Sequence, residues 1–243
     1  MEGCFLSVRY YINVTCYHYY NILGLAHLSF KNETLWACDV FEQQEKNVDG
    51  SGFGDKKYFL QQCQTNGIDP QSISLFVGSS AEIDPKTLQT SGHIKPFRLI
   101  SVDGGHTRQL TINDLIVAAS NLAEGGIIIL DDVLNFDQWP GVIDGMFTWL
   151  ATYKDEFGPF FVGNNKVFLC HRKYHGLYYQ ALLSHNFWSK YLSDDPVSNH
   201  NIHKSKTSGT NYFSWGGYKY LFLAPGNTPA LDDTIQTWIQ ELT

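Results

Sequence analysis

Three runs in the chain are apolar at nearly every position, and each stops on a carboxylate. They are residues 35–41 (LWACDVF), 97–105 (FRLISVDGG) and 125–133 (GGIIILDDV). A strand with one face in water alternates apolar and polar residues; a strand without that alternation has both faces covered. Such runs build a parallel sheet between two layers of helices. Residues 73–80 (ISLFVGSS) read as a further strand of the same kind.

The segments between these runs carry helical patterns. Residues 56–66 predict a short helix stopped by Gly67. Leu110, Ile112, Leu115, Ile116, Ala119 and Leu122 form one apolar face, and Gly125 and Gly126 are expected to break the chain before the next strand. Pro140 suits the first turn of a helix continued by Val142, Ile143, Met146, Phe147, Leu150 and Tyr153. FFVG and KVFLCH read as two strands joined by a turn at Asn164 and Asn165. Residues 177–192 predict a helix, 193–210 a polar loop and 218–223 a strand. A last helix is capped by Thr228, with Leu231, Ile235, Trp238, Ile239 and Leu242 on its buried face. The expected organisation is a truncated or irregular unit over 1–34, an α/β core over 35–173 and a C-terminal extension over 174–243.

Composition removes several classes of function. The net charge is −7 with no basic stripe, which argues against nucleic-acid binding. The five cysteines are scattered without a CxxC pair, the pattern of free thiols in a reducing compartment, so a cytoplasmic location is expected and a zinc site is not. Arg9, Asn13, His18 and Asn21 interrupt the N-terminal apolar stretch, which reads as neither signal peptide nor membrane span.

Ligands of an open parallel sheet bind beyond the carboxyl ends of its strands. Those ends carry Asp39, then Gly78-Ser79-Ser80, then Asp103-Gly104-Gly105-His106, then Asp131-Asp132. A carboxylate accepts from two hydroxyls at once, so Asp39 suits a ribose diol. Gly78, Ser79 and Ser80 leave room for a flat base. Asp103, Asp131 and Asp132 are a candidate magnesium set, because adjacent acids repel unless paired or metal-bound. His106, three residues beyond Asp103, is placed to take a proton from a substrate hydroxyl.

The run from Leu35 to His171 resembles a class I S-adenosylmethionine-dependent methyltransferase, and is similar to the small-molecule O-methyltransferases of the macrocin and mycinamicin type. The matching pieces are CDVFEQQEKNVDGSGFGD, VGSS, ISVDGGHTRQLTINDL, GGIIILDDV, the WPGV of residues 139–142, and NKVFL. The resemblance implies a Rossmann-like, doubly wound, mostly parallel sheet. It implies that Asp39, Gly78, Ser79, Ser80 and Asp103 bind S-adenosylmethionine, that Asp103, Asp131 and Asp132 hold magnesium, and that His106 is the general base. The acceptor it implies is a hydroxyl of a small molecule or sugar, and a homodimer is plausible. The chain departs from the family at its glycine-rich cofactor loop. In YYNILGLAHLSFKNETLWACD only Gly24 matches, so the first βαβ unit is expected to be shortened.

Other features carry plainer expectations. Trp139 is a wall of the acceptor pocket or a core residue. Asp114 could touch the site, but the expectation is a surface or capping role on its helix. GSGFG, residues 50–54, is expected to be a flexible loop, and His200 and His203 to be solvated. Tyr212, Phe213, Trp215 and Trp188 are expected to pack in the core or an interface rather than form a lid. Two alternatives to methyl transfer remain open: a non-catalytic binding module on the same sheet, and a metal-dependent hydrolase using the three aspartates.

Overall fold

The computed structural model describes residues 7–11, 35–52, 54–83, 96–135, 137–163, 165–184, 213–215 and 218–223. Two compact units divide the chain, residues 1–152 and 153–243.

The first unit holds five strands: β1 (Ser7–Tyr11), β2 (Leu35–Asp39), β3 (Ile73–Val77), β4 (Phe97–Asp103) and β5 (Leu122–Leu130). Their order is β3-β2-β1-β4-β5, and every neighbouring pair is parallel. The chain winds outward from β1 in one direction through β2 and β3, and in the other through β4 and β5. This is the doubly wound arrangement the sequence predicts, and the reversal between β1 and β4 opens a crevice at the strand ends. Tyr11 pairs with Asp103, so the last residue of β4 lies at that crevice.

Two strands differ from expectation. β1 lies inside the stretch 1–34 expected to be irregular. Arg9, in the middle of SVRYY, hides it, since it breaks the apolar run that marks the other strands. Residues 12–34 separate β1 from β2, more than the roughly 10–12 residues a crossover with its helix needs. The first unit therefore starts well before Gly24 and is not short of chain. β5 begins at Leu122, ahead of the glycine pair expected to interrupt it. Phe97 pairs with Leu122 but Leu99 pairs with Ile127, so the extra residues are taken up in a bulge where Gly125 has φ 72°.

Helix α1 (Lys56–Thr65) follows β2, and Asp55 caps it by accepting from the Tyr58 N–H. Its Phe59 and Cys63 pack with Leu35, Ala37, Phe41, Ile73 and Leu99 in one buried cluster. Helix α2 (Arg108–Asn121) packs on β4 and β5. Helix α3 (Pro140–Tyr153) opens on the expected proline. Gly141 and Gly145 of α3 bring it close to the start of α2. A Cβ on Gly141 would collide with the backbone oxygen of His106 and sit 2.7 Å from the Arg108 nitrogen; one on Gly145 would lie 2.8 Å from the Arg108 oxygen.

In the second unit, β6 (Phe157–Gly163) and β7 (Lys166–His171) form an antiparallel pair, and Asn165 with φ 64° sits in the turn between them. β9 (Tyr218–Leu223) runs parallel to β6, and β8 (Phe213–Trp215) is antiparallel to β9. Phe213 and Trp215 therefore belong to a strand. Helix α4 (Arg172–Ser184) packs on β6 and β7. It starts five residues before the helix expected at 177, because Arg172–Gly176 continues the helix despite a glycine that lowers local propensity. Trp188, His200, His203, Tyr212 and the helix expected after Thr228 lie outside the described residues. Cys38, Cys63 and Cys170 are buried free thiols. Among the described residues no helix is long and apolar enough to cross a membrane.

Replacing Gly141 with alanine should force α3 away from the turn that carries His106. An overpacked contact of this kind costs about 1–3 kcal/mol. The melting temperature of Gly141→Ala is expected to fall by several degrees, and that of Gly176→Ala, where a Cβ meets nothing, to stay level or rise.

Candidate active site

The turn after β4 carries most of the ionisable groups. Asp103 ends the strand at 4 % exposure. Gly104, Gly105 and His106 follow, and the Thr107 hydroxyl then caps α2 by accepting from the Leu110 N–H at 3.3 Å. Neither glycine has positive φ. Gly105 is needed for space: a Cβ there would lie 2.6 Å from Leu110 Cδ1 and 3.5 Å from the Asp49 carboxylate. The bare turn lets the first turn of α2 and a distant acid close in together.

That acid, Asp49, comes from the loop between β2 and α1. Its Oδ2 accepts from the His106 backbone N–H at 2.5 Å and lies 3.0 Å from Nδ1 of the ring. Its Oδ1 accepts from the Ser51 N–H at 2.9 Å and the Ser51 hydroxyl at 2.5 Å. Ser51 Oγ is also 3.2 Å from Nδ1 of His106. On the far side of the ring, Nε2 lies 3.0 Å from Oδ2 of Asp132. Trp139 stacks on the imidazole with centroids 4.0 Å apart and planes 18° from parallel. Trp139 thus holds the plane of His106. The loop expected to be flexible is pinned at Asp49.

The side chains of His106, Asp49 and Asp132 are 9 %, 10 % and 19 % exposed, so water screens these pairs weakly. Burial on its own lowers the imidazole pKa. Hydrogen bonds to Asp132 and Asp49, and their charges, outweigh it and raise the value to about 9. For Asp49, burial pushes upward, but hydrogen bonds from His106 and Ser51 hold the carboxyl well below its ordinary range. At neutral pH the imidazole is a cation between two carboxylates.

Asp131 and Asp132 follow β5. Asp131 N–H donates to the Val102 oxygen at 2.9 Å, and Asp131 Oδ1 accepts from the Asp132 N–H at 2.9 Å. Asp132 has φ 59°, a left-handed conformation that costs a non-glycine residue about 1–2 kcal/mol. Its Oδ1 accepts from Asn135 Nδ2 at 2.7 Å, and its Oδ2 faces His106. Asp103, His106, Asp131 and Asp132 line one small cleft open to solvent. Among the described residues, no group of three or more His, Cys, Asp or Glu is arranged to hold a metal ion. Both oxygens of Asp132 face nitrogen donors, Oδ2 toward Nε2 of His106 and Oδ1 toward Nδ2 of Asn135.

Asp114 lines the same cleft and is 1 % exposed, a correction to the surface or capping role expected for it. Burial raises its carboxyl pKa to about 7 against the hydrogen bonds of Ser80 and Asn113. A signal was present in the sequence: Asp114 stands four residues after Leu110 and four before Ala118, on the inward stripe of α2.

The ends of β2 and β3 form the adjoining part. Asp39 is fully buried, and its Oδ1 accepts from the Phe41 N–H at 2.6 Å. Phe41 has φ 45°, a second strained residue at a strand end. The Gly78 N–H donates to the Asp39 backbone oxygen at 2.8 Å, the Ser79 hydroxyl accepts from the Ala81 N–H, and Ser80 is buried. Asn113 of α2 donates to the Ser80 oxygen at 3.2 Å, which ties this region to the Asp114 side of the cleft. The structure therefore brings together Asp39, Gly78, Ser79 and Ser80, and separately Asp103, His106, Asp131 and Asp132. Asp49 and Ser51 join the second group without having been predicted there, and Asp114 joins it in the less favoured of its two readings.

Residues 21–133 match the family model described as a methyltransferase domain. With the doubly wound sheet, this match fits a Rossmann-like fold of the class I methyltransferase type. Among solved structures, the chain is similar in fold to CalS11, a TDP-rhamnose 3'-O-methyltransferase of calicheamicin biosynthesis. The identity is 17 %, with 70 % of this chain and 73 % of the other covered and a TM-score of 0.50. TomG from Streptomyces achromogenes, an O-methyltransferase of tomaymycin synthesis, is 16 % identical over 67 % of this chain and 71 % of its own, with a TM-score of 0.47. MycE of the mycinamycin pathway, solved with magnesium and SAH, is 16 % identical over 68 % of this chain and 45 % of its own, with a TM-score of 0.44. No curated protein matches the sequence significantly.

Two pH dependences of stability follow, with opposite causes. His106 has a folded pKa above its ordinary 6.5, so its contribution is complete below about pH 6.5 and is lost as pH rises through about 9. The loss is on the order of 3 kcal/mol, and thermal melts of His106→Gln should lack that component. Asp114 is an acid with a raised folded pKa, so ionising it penalises the fold from about pH 4 up to about 7. Asp114→Asn should gain stability over the wild type as pH rises through that window; equal melting differences at about pH 5 and about pH 8 would contradict this burial effect.

Proposed function

We propose that the protein transfers a methyl group from S-adenosylmethionine to a hydroxyl of a small molecule or sugar, with His106 as the proton acceptor. The observation that carries this reading is the cleft in which His106 meets the acids at the ends of β4 and β5. Asp39 suits the cofactor's ribose hydroxyls as an acceptor, and the N–H bond from Phe41 holds its side chain in place. Gly78, Ser79 and Ser80 would flank the adenine, and Asp103 would complete the cofactor side. When bound, S-adenosylmethionine supplies a methyl on a positively charged sulfur, open to displacement by an oxygen nucleophile.

The chain's own contribution is alignment and one proton transfer. Asp103, Asp131 and Asp132 offer acceptors to a hydroxyl-rich ligand in the cleft. The neutral ring of His106 takes the hydroxyl proton on Nε2 as the oxygen attacks the methyl carbon. That nitrogen faces Asp132, so the incoming hydroxyl has to replace the carboxylate as its partner. Asp49 and Asp132 stabilise the imidazolium that results. A magnesium-assisted form of the reaction draws support from three carboxylates on one cleft, and it requires Asp132 to release His106 and Asn135. No step above depends on it. Buried free thiols support a reducing, cytoplasmic setting.

Titration calorimetry with S-adenosylmethionine, with and without magnesium, tests the assignment. Saturable binding that is unchanged by magnesium is expected. Binding of neither ligand would favour a non-catalytic module, and binding of the metal alone would favour hydrolysis. The rate of transfer should climb with pH toward about 9, because the base is mostly protonated below that value. In Asp132→Asn the rising limb should move to lower pH, since one of the two charges that stabilise the cation is gone.

A further inference from the structure

We propose that Asp49 is the positioning residue of His106, and that the loop between β2 and α1 is the arm that carries it there. The contact joins residues 57 positions apart, so local turn geometry does not account for it. One carboxylate oxygen takes both the backbone N–H and Nδ1 of the same residue. Together these bonds fix the path of the turn and the rotation of the ring. With Nδ1 committed to Asp49, Nε2 is the nitrogen presented to the acids at the ends of β4 and β5. Stacking on Trp139 fixes the plane but not which nitrogen faces which way, so Asp49 supplies the missing constraint.

The arm is braced along its length. Gln44 Nε2 donates to the Phe41 oxygen, Asn47 Nδ2 donates to Gln44 Oε1 at 2.9 Å and to the Ser51 oxygen at 2.8 Å, and Ser51 donates twice to Asp49. The loop leaves the sheet at Asp39 and returns to it: a Cβ on Gly54 would lie 2.7 Å from the Phe41 Cα and 3.1 Å from Asp39 Oδ1. The carboxylate assigned to the ribose and the carboxylate on the base thus sit at the root and tip of one braced loop. The catalytic side of this inference rests on His106 being the proton acceptor; the Asp49–His106 link itself does not.

The test uses the full chain labelled with nitrogen-15 and reads the ring nitrogens of its histidines, with His106→Gln assigning the His106 signals. In the wild type the proton on Nδ1 of His106 should be protected from exchange with water. It should lose that protection in Asp49→Asn and keep it in Asp49→Glu. In transfer from S-adenosylmethionine to a panel of hydroxyl compounds, Asp49→Asn should lower kcat at least about tenfold. The loss should stay within the roughly 100- to 10,000-fold that a positioned base contributes. Affinity for S-adenosylmethionine should change less than about twofold, and Asp49→Glu should recover part of the rate. Melting curves establish that each variant is folded. If Asp49→Asn is not, Ser51→Ala takes its place, since it loosens the carboxylate without removing the charge. Unchanged His106 ring signals in the folded variant would overturn the proposal, as would an undiminished kcat. If the wild type fails to bind S-adenosylmethionine, the methyl-transfer reading falls, while the ring signals still decide whether Asp49 orients His106.

Discussion

An imidazolium clamped between two carboxylates is the contact on which the rest of the site depends. Asp49 arrives from the loop after β2, Asp132 from the end of β5, and His106 from the end of β4. Each of the three would be costly to bury alone. The one cation offsets the two anions in a place where water screens them little, and removing His106 would leave two buried carboxylates without a counter-charge. The clamp also explains how two consecutive aspartates coexist. Asp132 turns into a left-handed conformation toward His106 and Asn135, while Asp131 is used by the backbone.

The sheet determines which residues can meet there. Strand order reverses between β1 and β4, so the loops after β2 and β4 leave the same edge and lean toward each other. Two of the three described non-glycine residues with positive φ, Phe41 and Asp132, stand at the ends of β2 and β5. Backbone strain of this kind persists only where the surrounding structure over-determines it. Here the hydrogen bond from Phe41 to Asp39 and the clamp on Asp132 do so. The close packing of α3 through Gly141 adds a third support beneath His106.

What could be read from the sequence was local. A continuously apolar strand followed by an acid is a pattern within ten residues, and it located Asp39, Asp103, His106, Asp131 and Asp132 at strand ends. What could not be read was the pairing between those ends and distant loops. The motif VDGSG looks like slack chain because nothing nearby in sequence shows that Asp49 will find an imidazole 57 residues on. Asp114 was misread for a different reason. Its charge outweighed its position, although it falls on the same stripe as Leu110 and Ala118. The adjacent acids Asp131 and Asp132 pointed to a cation nearby, and the His106 ring lies 3.0 Å from Asp132. Arg9 concealed β1 because a single charge breaks the apolar run on which strand recognition rests.

The place of β1 has a consequence for how the chain reaches its folded state. It precedes both of its neighbours in the chain, yet it lies between them in the sheet, flanked by β2 and by β4 from the second half of the domain. Its ladder with β4 cannot form until some ninety further residues have been made, and parallel pairings at such separation form slowly. Until then β1 holds an open edge on the side that β4 will take.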